Sequence, residues 1–158
     1  DRERKERMPE KYWEDFDPGF HVQTPSITVT ETHVVNWAGL TMDFYPLHTD
    51  EVYAQKTVFK GRIAHGPLIF GLAVGLAAQA KIEGGAVLAW MGADNMRMFV
   101  PVKMGDTITV HITVKEKKET GKPTQGLQVW YYEVRNQRDE KVMSLDMNFL
   151  MHRRPREC

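Results

Sequence analysis

From Pro67 to Ala80 the chain runs Pro-Leu-Ile-Phe-Gly-Leu-Ala-Val-Gly-Leu-Ala-Ala-Gln-Ala, with no charged side chain. At helical spacing this run is apolar on every side until Gln79, which predicts a buried helix rather than an amphipathic surface one. It is too short to cross a bilayer, which takes about 20 residues, so protein must cover it. Gly71 and Gly75 lower helix propensity, and their use is close approach by a sheet or another helix. Their spacing also matches a membrane dimer motif, a reading the short helix disfavours.

The second half supplies the cover. Ala86 to Met91, Asn95 to Val100, Thr107 to Glu116, Gly126 to Arg135 and Lys141 to Leu150 read as strands. In the third, Ile108, Val110, Ile112 and Val114 alternate with Thr107, Thr109, His111 and Thr113, a period of two with one buried face. His111 falls on the polar face. Turn chemistry at Glu119 to Thr124 and at Asn136 to Glu140 predicts consecutive hairpins and an antiparallel sheet. A buried helix followed by such a sheet is an α+β layout.

Upstream, Ile27 to Thr30 suggests a short strand, and Thr30 is placed to cap a helix from Glu31 towards Leu40. Asp50 can cap another through Lys56. Lys plus Arg equal Asp plus Glu at 21 each, so no net field favours nucleic acid or an acidic membrane. The one cysteine, Cys158, is the last residue, which excludes an internal disulfide and leaves a poorly fixed nucleophile. No leader pattern is recognised in the residues given, and a cytoplasmic protein is expected. There is no phosphate-binding glycine loop, dinucleotide fingerprint or nucleophile elbow.

The chemistry concentrates between Asp43 and Gly66. Asp43 and His48 stand five positions apart, unlike neighbours on one helix face, so a loop shaped by Pro46 is expected to bring them together. A carboxylate beside an imidazole divides proton work, one group taking a proton while the other returns one. Gly66, before Pro67, offers a backbone N–H at a helix start, where it can meet a developing oxyanion. His48, Asp50, His65 and Asp43 can also be read as metal ligands, but their spacing matches no metal motif.

Asp43, Pro46, Leu47 and His48, then Ala54, then Ile63-Ala64-His65-Gly66 resemble the signature of the MaoC-like, or (R)-specific enoyl-CoA hydratase (hydratase 2), family. The likeness extends to Tyr12-Trp13-Glu14-Asp15-Phe16 and Gly19, and to Phe99-Val100-Pro101 with Gly105-Asp106-Thr107. It implies a single hot-dog fold, an antiparallel sheet wrapped around a long central helix, over residues 12–151. A charged arm would precede it at 1–11 and a basic tail follow at 152–158. It implies reversible hydration of a trans-2-enoyl-CoA with Asp43, His48 and the Gly66 amide as catalytic groups, Tyr45 and His65 as substrate-binding residues, no metal and no cofactor beyond the coenzyme A of the substrate. A homodimer or larger assembly is expected, with no nucleic acid or membrane partner.

Two positions depart from the family pattern. Met42 stands where a glycine is usual, and Tyr45 where a small amide is usual. Acid and base labels on Asp43 and His48 remain exchangeable, since close groups titrate as a pair. The rival readings are a hot-dog thioesterase and a non-catalytic acyl-CoA binding module. Lys60, Arg62, Arg97 and Lys103 are candidate partners for coenzyme A phosphates or ordinary surface charge. Met91, Met96 and Met98 are candidate linings of an acyl tunnel or core fillers.

Overall fold

The computed structural model describes residues 10–155. The charged run Asp1 to Arg7, together with Arg156 and Cys158, lies outside the described residues. A 3-10 turn at Trp13–Asp15 opens the described chain. It is followed by β1 (His21–Gln23), β2 (Ile27–Thr28), α1 (Glu31–Thr41), α2 (Pro46–Thr49), α3 (Glu51–Gln55), α4 (Gly66–Gln79), β3 (Val87–Met98), β4 (Thr107–Glu119), β5 (Gln125–Asn136) and β6 (Lys141–His152).

The sheet is antiparallel, ordered β1-β4-β5-β6-β3, with β2 also paired to β4. Its inner face is built by the alternation expected of β4, where Ile108, Val110, Ile112 and Val114 are buried. Trp130, Tyr132 and Val134 of β5 and Met143, Leu145, Met147, Phe149 and Met151 of β6 continue it. Leu68, Ile69, Ala73, Leu76 and Ala77 of α4 pack into the same core. This is the hot-dog layout.

Four differences from the sequence reading have local causes. β1 is too short and polar to be seen as a strand, and it forms by pairing with His111 to Thr113. The two strands expected over 86–100 are one strand, because Gly92 (φ 141°) and Asn95 (φ 54°) absorb irregularities in register without ending the ladder. α4 is not covered all round: Gly71, Val74, Gly75 and Ala78 form an outward stripe. Finally, Arg153 is pinned to Glu14 at 3.0 Å and to Glu119 at 3.2 Å, so the start of the basic tail is bound to the domain.

Buried polar groups tie the pieces together. Gln128, fully buried, donates to the carbonyls of Trp13 and Phe16 and accepts from the Trp130 indole. This anchors the N-terminal segment on β5. Asp106 accepts from the Lys103 amide, Gln137 and Arg138, which fixes the turn into β4. Burial raises its pKa, but those donors overcome that and hold it below the usual carboxylate range.

Candidate active site

α1 begins at the Thr30 cap, where the Thr30 amide donates to His33 Nδ1 at 3.0 Å. It ends at Met42, a left-handed residue with φ 64°. That reversal sends the chain into Asp43, whose carboxylate accepts from the Tyr45 amide at 3.3 Å. Tyr45 is extended (ψ 132°) and Pro46 opens α2, as expected for a residue before proline and for proline in a first helical turn. His48 therefore sits on a short helix rather than in the loop the spacing suggested. Asp50 follows as the cap of α3, accepting from the Tyr53 amide at 3.0 Å.

His48 Nδ1 lies 2.7 Å from the Ile63 carbonyl. A carbonyl only accepts, so Nδ1 carries the hydrogen and Nε2 keeps a lone pair, the tautomer needed for a base. His65, the N-cap residue of α4, is 0% exposed and places Nε2 3.0 Å from the Asp43 carbonyl oxygen. Burial pushes its imidazole below the ordinary range, and the neighbouring His48 acts in the same direction, against the hydrogen bond to Asp43. The two rings stack at 3.9 Å with 30° between planes.

Ligand-capable atoms of Asp43, His48 and His65 fall within 4.8 Å of one another. A zinc ion would need each imidazole lone pair aimed at it from about 2.0–2.1 Å. His65 Nε2 is committed to a carbonyl and His48 Nδ1 to another, which leaves one nitrogen on each ring, that of His65 fully buried. The arrangement suits proton transfer between an exposed carboxylate and a half-buried imidazole better than it suits a metal.

Gly66 is the first residue of α4, one earlier than the sequence suggested. Its N–H belongs to the first turn, which has no intrahelical partner, and it lies at the positive end of the helix dipole. A β-carbon there would meet only the Met98 side chain, at 3.7 Å or more, an ordinary contact. Packing of the chain itself does not demand the glycine.

Tyr45 forms a wall of the site. Its ring meets His48 edge-on with centroids 6.1 Å apart, and its hydroxyl lies 3.3 Å from that of Tyr53. Ala54 is fully buried beneath. Arg62 is engaged within the protein, paired with Glu31 at 2.7 Å and Glu51 at 3.4 Å. Lys103 Nζ reaches the Lys60 carbonyl at 3.3 Å and Arg97 the Met96 carbonyl at 2.8 Å. Met91, Met96 and Met98 are exposed on β3, at the sheet edge.

An apolar cavity of about 280 Å³, invisible to sequence reasoning, opens along α4 from one helical turn past Gly66. Phe70, Val74, Ala77, Trp90, Tyr132 and Phe149 are among its lining residues.

A single hot-dog domain presenting a carboxylate, an imidazole and a free helix-start amide in one small site defines a class, and the comparisons place the chain in it. Residues 15–135 match the model of the MaoC like domain, and the chain belongs to that family. It is 39% identical over 107 residues to protein MaoC of Klebsiella aerogenes, covering 68% of this chain and 31% of that protein. It is 38% identical over 105 residues to an (R)-specific enoyl-CoA hydratase of Rhodospirillum rubrum, covering 65% of this chain and 69% of the relative. The chain thus spans less than a third of the MaoC protein and about two thirds of the hydratase. Among solved structures, a monoamine oxidase regulatory protein from Archaeoglobus superposes with a TM-score of 0.87 at 35% identity, covering 92% of this chain and 96% of that one.

Proposed function

We propose that the protein adds water to trans-2-enoyl-CoA thioesters and, in reverse, dehydrates (R)-3-hydroxyacyl-CoA. The observation that carries this is the proximity of Asp43, a carboxylate oxygen of which lies within 4.8 Å of a His48 ring nitrogen, to a His48 whose Nδ1–H is used on the Ile63 carbonyl, so that Nε2 keeps its lone pair. The relatives named as enoyl-CoA hydratase and 3-hydroxybutyryl-CoA dehydratase support the same reading.

In the forward direction His48 Nε2 takes a proton from water as its oxygen bonds to C3. The C2–C3 π pair moves towards the thioester, and the Gly66 N–H meets the charge growing on its oxygen. Asp43 gives its proton to C2, and return of the proton from His48 to Asp43 resets the pair. Exchanging the two labels leaves the balance unchanged. No cofactor enters beyond the coenzyme A of the substrate. The acyl chain lies in the apolar cavity along α4.

A homodimer fits the exposed surface. β3 is an unpaired sheet edge carrying Leu88, Trp90, Met91, Met96 and Met98, next to the outward Gly71, Val74, Gly75 and Ala78 stripe of α4. An edge so apolar is ordinarily covered by a second chain.

The test is turnover of crotonyl-CoA, followed by loss of enoyl absorbance together with a thiol assay. Asp43→Asn and His48→Ala should each lower kcat by roughly 10²-fold or more while leaving the fold intact. Folded variants with wild-type turnover, or stoichiometric release of thiol by the wild type, contradict the proposal.

A further inference from the structure

One side chain of the site is left without a task by this reaction. His65 is fully enclosed, so no substrate reaches it as the protein stands. Its Nε2 must carry the hydrogen, since its partner at 3.0 Å is the Asp43 carbonyl oxygen. Nδ1 of the same ring is buried and finds no partner among the described residues. An unsatisfied buried acceptor costs about 1–3 kcal/mol. A ring that served only to fill the core would avoid that cost by being a phenylalanine.

What His65 offers in exchange is contact with both proton-transfer residues at once. Its N–H holds the backbone of Asp43, and its face lies 3.9 Å from the ring of His48. The Tyr45 ring meets His48 edge-on, and the Ile63 carbonyl takes its Nδ1–H. When His48 takes a proton in the reaction proposed above, its imidazolium then meets a neutral aromatic face and the Asp43 carboxylate. A second cation in that position would oppose the proton transfer.

We propose that His65 is a positioning residue: its Nε2–H fixes the Asp43 backbone and its ring supports His48 by stacking, so that the pair keeps its spacing through the catalytic cycle. The inference rests on the hydratase reading. It takes His65 out of the substrate-binding role that the motif suggested and gives it a role in the geometry of the acid–base pair.

Two substitutions separate its two functions. His65→Phe keeps a ring to stack on His48 but has no donor for the Asp43 carbonyl. His65→Gln carries an amide N–H that reaches that carbonyl but has no ring. Each is checked for fold by circular dichroism, then assayed on crotonyl-CoA for kcat and KM, with Asp43→Asn alongside.

The expected result for His65→Phe is a kcat at least about tenfold below wild type, the scale set by small misplacement of a catalytic group, with KM changed less than about threefold. His65→Gln should recover part of that kcat, the shortfall from wild type being the share of the stacked ring. A folded His65→Phe with wild-type kcat, or a His65→Gln no better than His65→Phe, overturns the proposal. If His65→Phe does not fold, a His65→Gln kcat equal to wild type or as low as that of Asp43→Asn overturns it. Should Asp43→Asn stay active, the hydratase reading itself fails; should it be inactive while His65→Phe is normal, only the role of His65 fails.

Discussion

Met42 is the sharpest place to perturb the site without touching its chemistry. It closes α1 in the left-handed region at φ 64° and ψ 15°, immediately before Asp43. An L residue there costs roughly 1–2 kcal/mol, and glycine escapes that cost while giving back about 0.5–1 kcal/mol through its freer unfolded chain. The side chain is 77% exposed, so little burial is lost on truncation. Met42→Ala loses the same thioether but keeps the β-carbon, which makes it the proper reference. Met42→Gly should exceed Met42→Ala by about 1 kcal/mol in unfolding free energy, or about 2–4 °C in Tm for a chain of this size. Scanning calorimetry, with a denaturant titration of all three proteins, reads it. Crotonyl-CoA turnover should change little, since glycine reaches the same backbone angles. A Met42→Gly protein no more stable than Met42→Ala refutes the backbone argument.

Glu133 gives a pH signature. Burial pushes its carboxyl up, but hydrogen bonds from Lys141, Arg135 and Tyr131 overcome this and hold it down at about 2, against 4.5 ordinarily. At 1.36 kcal/mol per tenfold this is about 3 kcal/mol of stability as an order of magnitude. Because the folded value is the lower one, the contribution is complete above about pH 4.5 and fades as pH falls towards 2. The stability gap between wild type and Glu133→Gln should shrink over that window, and a constant gap contradicts it. Gly126→Ala tests the N-terminal clasp: a β-carbon there would stand 2.5 Å from the Trp13 indole, whose Nε1–H holds the Leu127 carbonyl at 3.1 Å. A loss of about 1–3 kcal/mol is expected, measured by denaturant unfolding.

Much of this architecture is legible from the chain because local chemistry and global fold agree. Thr30 and Asp50 sit at helix starts, Pro46 is in the first turn of α2, and β4 alternates as a half-buried strand must. What escaped notice depends on partners distant in sequence. β1 exists because β4 offers it an edge. Gly92 reads as a break, yet in a ladder fixed by β6 it becomes a bulge. α4 looks uniformly apolar, but composition alone does not say which stripe a single chain leaves open.

At the site, the motif brought Asp43, His48, His65 and Gly66 to attention together. The stack of His48 on His65, the tautomer set by the Ile63 carbonyl and the cavity along α4 depend on through-space packing that no spacing reveals. Met42, where the resemblance leads one to expect glycine, gains a physical meaning only from its left-handed backbone, a conformation glycine adopts without strain. Arg62, a candidate phosphate partner from sequence, proves to be held by Glu31 and Glu51.

In the proposed reaction this acid–base pair delivers water to C3 and a proton to C2 of one face of an enoyl thioester. Incubation of crotonyl-CoA with the enzyme in D2O, followed by mass spectrometry and chiral analysis of the product, tests it most directly. The expected product is (R)-3-hydroxybutyryl-CoA with one deuterium on C2. Free coenzyme A with crotonate, or an (S)-hydroxy product, would contradict it.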